Sequence, residues 1–338
     1  MGRKMKGKIG SKSLKTSLIN HQHNENLIKK RQQQIAHKQN PQTPKNVKKN
    51  KQLQKENQEK FIPFNPTENL LLIGEGDFSF ARSIIEQCYI LPENLIVTSY
   101  DASIQELKLK YPKTFEENYK YLTDEKVSMF FRIDATNLIK SFKISRKQTW
   151  KKIMVSIGNV NLSTNVLQNV MFNFPHTGKG VKDMDRNIRD HQELVSKYFK
   201  SSKEFFKLIN SDIMRSRSSY TQGYSLNSNA NDKIDSNGTT EEGYGKIILS
   251  VFTGEPYDLW QVRVLAKDNG LQVERSSKFQ WGDYPEYHHK RTNSEQDTTK
   301  PAEERDARLY VFKKFEKRAN KRSKKSQIDG PGYENDSD

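Results

Sequence analysis

The chain has 338 residues, a formal net charge of +17 and only 33% hydrophobic residues, so part of its length lies in segments that bury nothing. Its one cysteine, Cys88, excludes an intramolecular disulfide and a cysteine-rich zinc site and fits a reducing compartment. No run reaches the ~18 apolar residues of a membrane span, and the basic start has no apolar stretch of the secretory kind.

In chain order, residues 1–60 hold 16 Lys and Arg against Glu25, Glu56 and Glu59, with isolated apolar residues and no amphipathic face. They read as a disordered basic arm, with a weak helical tendency from Leu53 onward. Residues 61–316 read as one folded domain. A Ser-, Asn- and Gly-rich stretch, 216–243, is expected to be a flexible surface insertion, and residues 317–338 a polar, disordered tail. Residues 313–325 are basic again, with eight Lys and Arg against Glu316, while 61–312 are close to neutral. A neutral body with basic flanks suits a polyanion, because each cation set against a phosphate releases condensed counterions.

Within the body, seven apolar runs read as strands: Asn69–Ile73, Leu95–Tyr100, Val127–Ile133, Val170–Phe174, Lys246–Phe252, Leu271–Phe279 and Leu309–Phe315. Helical patterns intervene at Phe80–Gln87, Ile104–Tyr111, Asp185–Ile209 and Tyr257–Asn269. Ser103 with Glu106 forms a capping box, and Gly270 stands where a helix should stop. Cys88, at the end of the first helical pattern, reads as a small buried apolar residue. The stretch Ser145–Gln168 carries no pattern and is read as loop. Strand and helix in alternation predict an α/β fold with a doubly wound, mostly parallel seven-stranded sheet.

Candidate site residues cluster at the ends of these strands. Gly74-Glu75-Gly76-Asp77 directly follows the first strand, where glycines tighten a turn and admit a ligand close to the backbone. Ser79 stands where a dinucleotide fingerprint has its third glycine, so the match to NAD binding is incomplete. Asp101 ends the second strand, where a carboxylate can accept both ribose hydroxyls, and Asp134 ends the third, near the usual place of an adenine edge. Together they describe a cofactor with a ribose and a base, although each Asp alone reads as a helix cap. After the fourth strand, Asn173-Phe174-Pro175-His176 offers a stiff turn with an amide that both donates and accepts, suited to a planar base. A tight loop carrying a stray His is the plain alternative. Tyr284, His288, His289, Lys290 and Arg291 interleave rings and cations in a way that can stack bases and neutralise phosphates. His288 and His289 are adjacent and diverge on any regular element, which speaks against a metal site.

These blocks resemble the fungal 25S rRNA (uridine-N(3))-methyltransferase family, a Rossmann-like class of RNA methyltransferases. The resemblance rests on Lys6–Lys12, Gly74–Arg82, Phe172–Gly180 with Arg186–His191, Gly254–Asp258, and Ser276–Trp281 continuing through Tyr287-His288-His289 to Arg308. It implies a seven-stranded Rossmann-like methyltransferase sheet and an S-adenosylmethionine-dependent enzyme. It also implies large-subunit ribosomal RNA in pre-ribosomal particles as partner, and a nuclear, nucleolar location. On that resemblance Gly74, Glu75, Gly76 and Asp77 face the donor's carboxypropyl part, Asp101 its ribose and Asp134 its adenine. Asn173, Pro175 and His176 then border the target base, with His176 or a carbonyl taking the N(3) proton directly or through water. An NAD-linked oxidoreductase and a non-catalytic ribosome-assembly factor on a methyltransferase fold remain the alternatives.

Overall fold

The computed structural model describes residues 60–221, 239–240, 242–290, 292, 302 and 305–315, without the side chains of 216–221. The basic arm up to residue 59, most of the 216–243 insertion, Arg291 and the tail beyond 315 lie outside the described residues.

The apolar runs pair into one seven-stranded sheet of β1 (Leu70–Ile73), β2 (Leu95–Thr98), β3 (Ser128–Phe130), β4 (Asn169–Asn173), β5 (Lys246–Phe252), β6 (Leu271–Lys278) and β7 (Ala307–Lys314). The order is β3-β2-β1-β4-β5-β7-β6. Strands β1 to β5 are paired in parallel, and β7 runs antiparallel between β5 and β6. Leu70, Leu71, Leu72 and Ile73 are all buried, as expected of a central strand covered on both faces. The order reverses between β1 and β4, where Ile73 pairs with Phe172. Chain connections there diverge to opposite faces of the sheet and leave a crevice beyond the strand ends, the usual ligand position in such sheets.

Eight helices surround the sheet among the described residues: α1 (Ser79–Glu86), α2 (Ile104–Lys110), α3 (Phe115–Asp124), α4 (Leu138–Ser141), α5 (Trp150–Ser156), α6 (Val160–Thr164), α7 (Met184–Thr221) and α8 (Val262–Asp268). The cap before α2 forms with its return bond shifted by one residue: Ser103 accepts from the Glu106 N–H, while the Glu106 carboxylate accepts the N–H of Ala102, just before the N-cap, at 2.8 Å. Gly270 ends α8 region as expected, with φ +69°. Helix α7 buries His191, Val195, Tyr198, Ser202, Phe205, Ile209 and Ile213, one helical stripe laid on the sheet. Its Tyr198 hydroxyl lies 3.1 Å from the Val170 carbonyl and 2.9 Å from that of Ile248, so one phenol clasps β4 and β5.

Several expectations need correction. Ser145–Gln168 is not plain loop, since α5 and α6 lie within it. Both are under two turns, too short to show a period, yet each has a side-chain cap, Thr149 for α5 and Asn159 for α6. Helix α3, also unforeseen, starts with Glu116 and Glu117 in its first turn. Helix α7 runs to Thr221, into the stretch read as insertion. The Tyr257–Asn269 pattern is broken at Gln261 (φ +52°) into a 3-10 turn, Tyr257–Trp260, and α8, because Trp260 turns inward to be buried. Cys88 is exposed: it stands just past α1 at φ +55°, a helix-ending conformation that points its side chain outward.

Tyr198→Phe keeps the ring and removes the hydroxyl shared by two strand carbonyls. Denaturant unfolding should show a loss of about 1 kcal/mol with an unchanged slope.

Candidate active site

The turn after β1 is tight because its glycines are needed. Gly74 has φ +70°, and a Cβ there would meet the Phe172 ring at 2.7 Å. At Gly76 a Cβ would lie 3.1 Å from the Tyr111 hydroxyl. Tyr111, which sequence reasoning missed, thus closes the crevice beneath the turn, and its phenol is held protonated by burial and by Asp101 and Asp77. Asp77 is buried, and both its oxygens are engaged: Oδ1 by the Ser79 N–H and hydroxyl (3.1 and 2.6 Å), Oδ2 by the Thr114 hydroxyl (2.8 Å). It caps α1 and ties α3 to the turn, and only its neighbours in the turn are left to face a ligand. Glu75 is also buried. Desolvation, then the Asp77 charge, push its pKa up to about 8 against the opposing pull of the Ala81 N–H. The carboxyl is therefore mostly protonated at neutral pH.

Asp101 and Asp134 hold different positions. Asp101 pairs with the Lys110 ammonium and receives the Ser99 hydroxyl at 3.4 Å, while 11% of its side chain stays exposed at the crevice edge. Asp134 Oδ1 accepts the Thr136 N–H and hydroxyl at 2.8 and 2.7 Å, a local turn that shapes the loop after β3. Both readings of these acids, local turn and ligand edge, are thus compatible with their surroundings.

At the end of β4 the Asn173 Oδ1 accepts the Ser250 hydroxyl of β5 at 2.7 Å, which orients the amide. Its Nδ2 is buried and has no hydrogen-bond partner among the described residues. A buried amide donor left open costs free energy and calls for an acceptor from a ligand. Phe174 follows at φ +46°, a strained conformation for a bulky residue. Packing holds it: Phe252 lies at 4.6 Å, His289 at 5.0 Å and Trp281 stacked at 5.4 Å with planes 9° apart. The bend redirects Pro175 and His176 away from the strand line.

His176 and His191 face each other with centroids 4.9 Å apart, and His191 stacks on Trp260 at 4.6 Å. The Gly178 N–H donates to His176 Nδ1 at 3.0 Å, which places the proton of the neutral ring on Nε2. His191 has the opposite tautomer, donating from Nδ1 to the Asn187 carbonyl (2.8 Å) while Nε2 faces the Thr177 N–H (3.4 Å). Neighbouring atoms crowd His176 although its surface is exposed, and this desolvation, then His191, lowers its pKa. Burial likewise lowers that of His191. In this tautomer neutral His176 presents an N–H at Nε2, and its Nδ1 lone pair is engaged by Gly178.

The 281–290 segment folds back over this end of the sheet. Glu286 accepts from Ser83 (2.8 Å) and Gln87 (3.0 Å), and Tyr89 donates to the Asp283 carbonyl (2.9 Å), so the segment is fixed along α1. Trp281 and Tyr287 stack at 5.8 Å, and the Tyr287 hydroxyl lies 3.0 Å from His289 Nδ1. Tyr284, expected to face RNA, is instead 3% exposed between Phe80 (4.9 Å) and Phe279 (5.1 Å). An apolar ring beside an uncovered helix face gains more from burial there than from exposure. His288 is exposed, and His289 and Lys290 are half-buried. Among the described residues no three His, Cys, Asp or Glu are grouped to hold a metal, and no helix is long and apolar enough to cross a membrane.

The family model for BMT5-like proteins, rRNA (uridine-N3-)-methyltransferase BTM5-like, matches residues 71–291, from β1 through this segment. The chain belongs to that family. A relative from Saccharomyces cerevisiae, the 25S rRNA (uridine(2634)-N(3))-methyltransferase, is 54% identical over 97% of this chain and 98% of its own length. An uncharacterised Arabidopsis thaliana protein is 25% identical over 68% of this chain and 84% of its own. Among solved structures, a putative methyltransferase from Thermoplasma acidophilum aligns over 76% of both chains with 10% identity and a TM-score of 0.33. A putative RNA methyltransferase from Pyrococcus horikoshii aligns over 75% of this chain and 76% of its own with 11% identity and a TM-score of 0.33. The methyltransferase family thereby displaces the NAD-linked alternative.

Because Glu75 is neutral in the fold and ionises freely once unfolded, its contribution is present below about pH 4.5 and lost as pH rises through about 8. Glu75→Gln should leave the melting temperature unchanged near pH 4 and raise it by on the order of 10 °C at pH 9, as scanning calorimetry would show.

Proposed function

We propose that this chain transfers a methyl group from S-adenosylmethionine to N(3) of a uridine in 25S ribosomal RNA. The observation that carries this reading is the buried, unpartnered N–H of Asn173 at the end of β4, on the same strand end as the outward Nε2–H of His176. Uracil N(3) is flanked by two carbonyl oxygens. When its weakly acidic proton leaves, negative charge spreads onto those oxygens, and fixed N–H donors stabilise it where water is excluded. With the His176 lone pair taken by Gly178, the proton leaves to a carbonyl or through water at the open edge of the site, where His176 is exposed. The family match and the yeast relative's printed activity support the same reading.

Gly74, Glu75, Gly76 and Asp77 form the cradle for the carboxypropyl part of the donor, Glu75 lining it as a neutral carboxyl and Asp77 holding its shape. Asp101 takes the ribose and the loop at Asp134 the adenine. When bound, S-adenosylmethionine supplies an electrophilic methyl on a sulfonium. The Asn173, Pro175 and His176 turn orients the base for in-line attack, and the flat rings of Phe174, Trp281 and Tyr287 stiffen that wall. No covalent adduct is involved, since Cys88, the one cysteine, stands exposed beyond α1. N(3) lies on the pairing edge, so the target must be unpaired or flipped. His288, His289, Lys290 and Arg291 are assigned to the RNA, Tyr284 to anchoring their segment. The arm (1–60), catalytic domain (61–316, with its 216–243 insertion) and tail (317–338) complete the reading, in which the arm's charge favours nucleolar retention with pre-ribosomal RNA as partner. The compact unit that begins at Ile62 supports the boundary between arm and body.

Calorimetry should show S-adenosylmethionine binding by the wild type and none by folded Gly76→Arg. A wild type that binds no donor would leave the non-catalytic assembly factor as the better reading.

Single-turnover transfer to an unmodified 25S fragment should be about 100-fold slower for Asn173→Ala at pH 7, with His176→Ala less impaired. Both deficits should shrink as pH rises and uridine ionises unaided. Parallel pH profiles would reduce both residues to alignment, and a product methylated on ribose or C5 would overturn the N(3) assignment.

A further inference from the structure

The near-neutral body hides a separation of charge. Residues 135–182 contain eight Lys and Arg and no Asp or Glu, whereas the rest of 61–312 has 26 Lys and Arg against 33 Asp and Glu. Six of the eight, Lys140, Lys143, Arg146, Lys147, Lys151 and Lys152, fall within 13 residues and all are exposed.

The fold turns this run into a fixed surface. Phe142 and Trp150 are buried, each about a ring's width from the other (5.4 Å) and from Phe205 of α7 (5.4 and 5.3 Å). Trp150 also donates to the Leu162 carbonyl at 3.2 Å, and the Leu138 N–H to Ser201 of α7 at 2.8 Å. With the rings turned inward, the cations between them face outward. Lys152 donates to the Lys147 carbonyl at 3.0 Å, which gathers the run across its own turn. Elsewhere, surface cations such as Lys108, Arg215, Lys278 and Lys313 sit within 3.5 Å of carboxylates. None of the six pairs with a carboxylate among the described residues. The run starts at the donor end of the crevice, because the Asp134 N–H donates to Ser141 at 3.1 Å.

We infer that the Lys140–Lys152 face is a docking surface for the sugar-phosphate backbone of RNA, formed by residues other than the 284–291 segment. The surface carries charge but no outward ring, so it suits phosphates and not bases, and contacts there set the register of a long RNA without reading its sequence. Unpaired cations concentrated on one face, with acids confined to the rest of the body, are the electrostatic arrangement that attracts and orients a polyanion. The inference rests on the RNA substrate proposed above and adds where its backbone lies.

The test uses the full chain with Lys143, Arg146, Lys147 and Lys151 all changed to Ala, and a 25S RNA fragment of several helices. Binding measured by fluorescence anisotropy from 50 to 300 mM salt should give a log–log salt slope shallower by about 3, at ~0.7–0.9 per lost contact on a mixture of single and paired strands. Affinity at low salt should fall at least tenfold. Donor affinity and melting temperature should stay at wild-type values, and Lys143→Arg, Lys147→Arg and Lys151→Arg together should retain the full slope. A control changing Lys108, Lys197, Arg215 and Lys278 to Ala, each paired with a carboxylate, removes the same charge and should lose less than half as much slope. An unchanged slope in the patch variant, or an equal loss in the control, overturns the inference; an unchanged slope would point to an acidic protein surface as the occupant instead. Failure of the wild type to form 3-methyluridine would sink the activity reading alone, because the salt slope is read without methyl transfer.

Discussion

The arrangement of the site depends on one strained residue, Phe174 at φ +46°. In the β conformation it would continue β4 and carry Pro175 and His176 along the strand line, away from the glycine turn. The left-handed bend is unfavourable for a bulky side chain and persists because rings from β5 and the 281–290 segment enclose it. Three stretches far apart in the chain thus share one contact cluster. Through it, the end of β4 that carries Asn173 and the segment that runs along α1 are held in a common geometry.

A second theme is neutrality. Glu75, His176 and His191 are each shifted toward the uncharged form, chiefly by loss of water. Uncharged groups can still donate directed hydrogen bonds, and they neither attract counterions nor compete with a charged ligand. The tautomers of the two histidines are set by backbone groups on opposite sides, so the Thr177-Gly178 loop is held by two neutral rings. The cations of the Lys140–Lys152 face are instead placed on the surface. Charges meant for a polyanion work at the periphery, where long-range attraction matters and desolvation is small.

The sequence by itself determined the sheet. Seven apolar runs, each bounded by turn residues, carry β propensity and burial in their own composition, and their observed bounds differ from the sequence reading by at most a few residues. It also placed the glycine turn, the two strand-end aspartates and Asn173, because those positions depend on local order along the chain. The local caps at Ser103 and Gly270 were legible for the same reason. What only the tertiary structure decided concerns which side chains meet. Tyr284 and Tyr287 are near neighbours in one motif, but the first packs into the core against Phe80 and the second faces Phe174 and His289. Tyr111 and Ser250 show no signal of their own, since their roles come from lying opposite Gly76 and Asn173. The proton position on His176 follows from a backbone N–H two residues away, and the exposure of Cys88 from a positive φ. Composition and periodicity report how much surface a segment must bury. Partners at long sequence separation, and the dihedral angles that bring them together, are set only when the layers close.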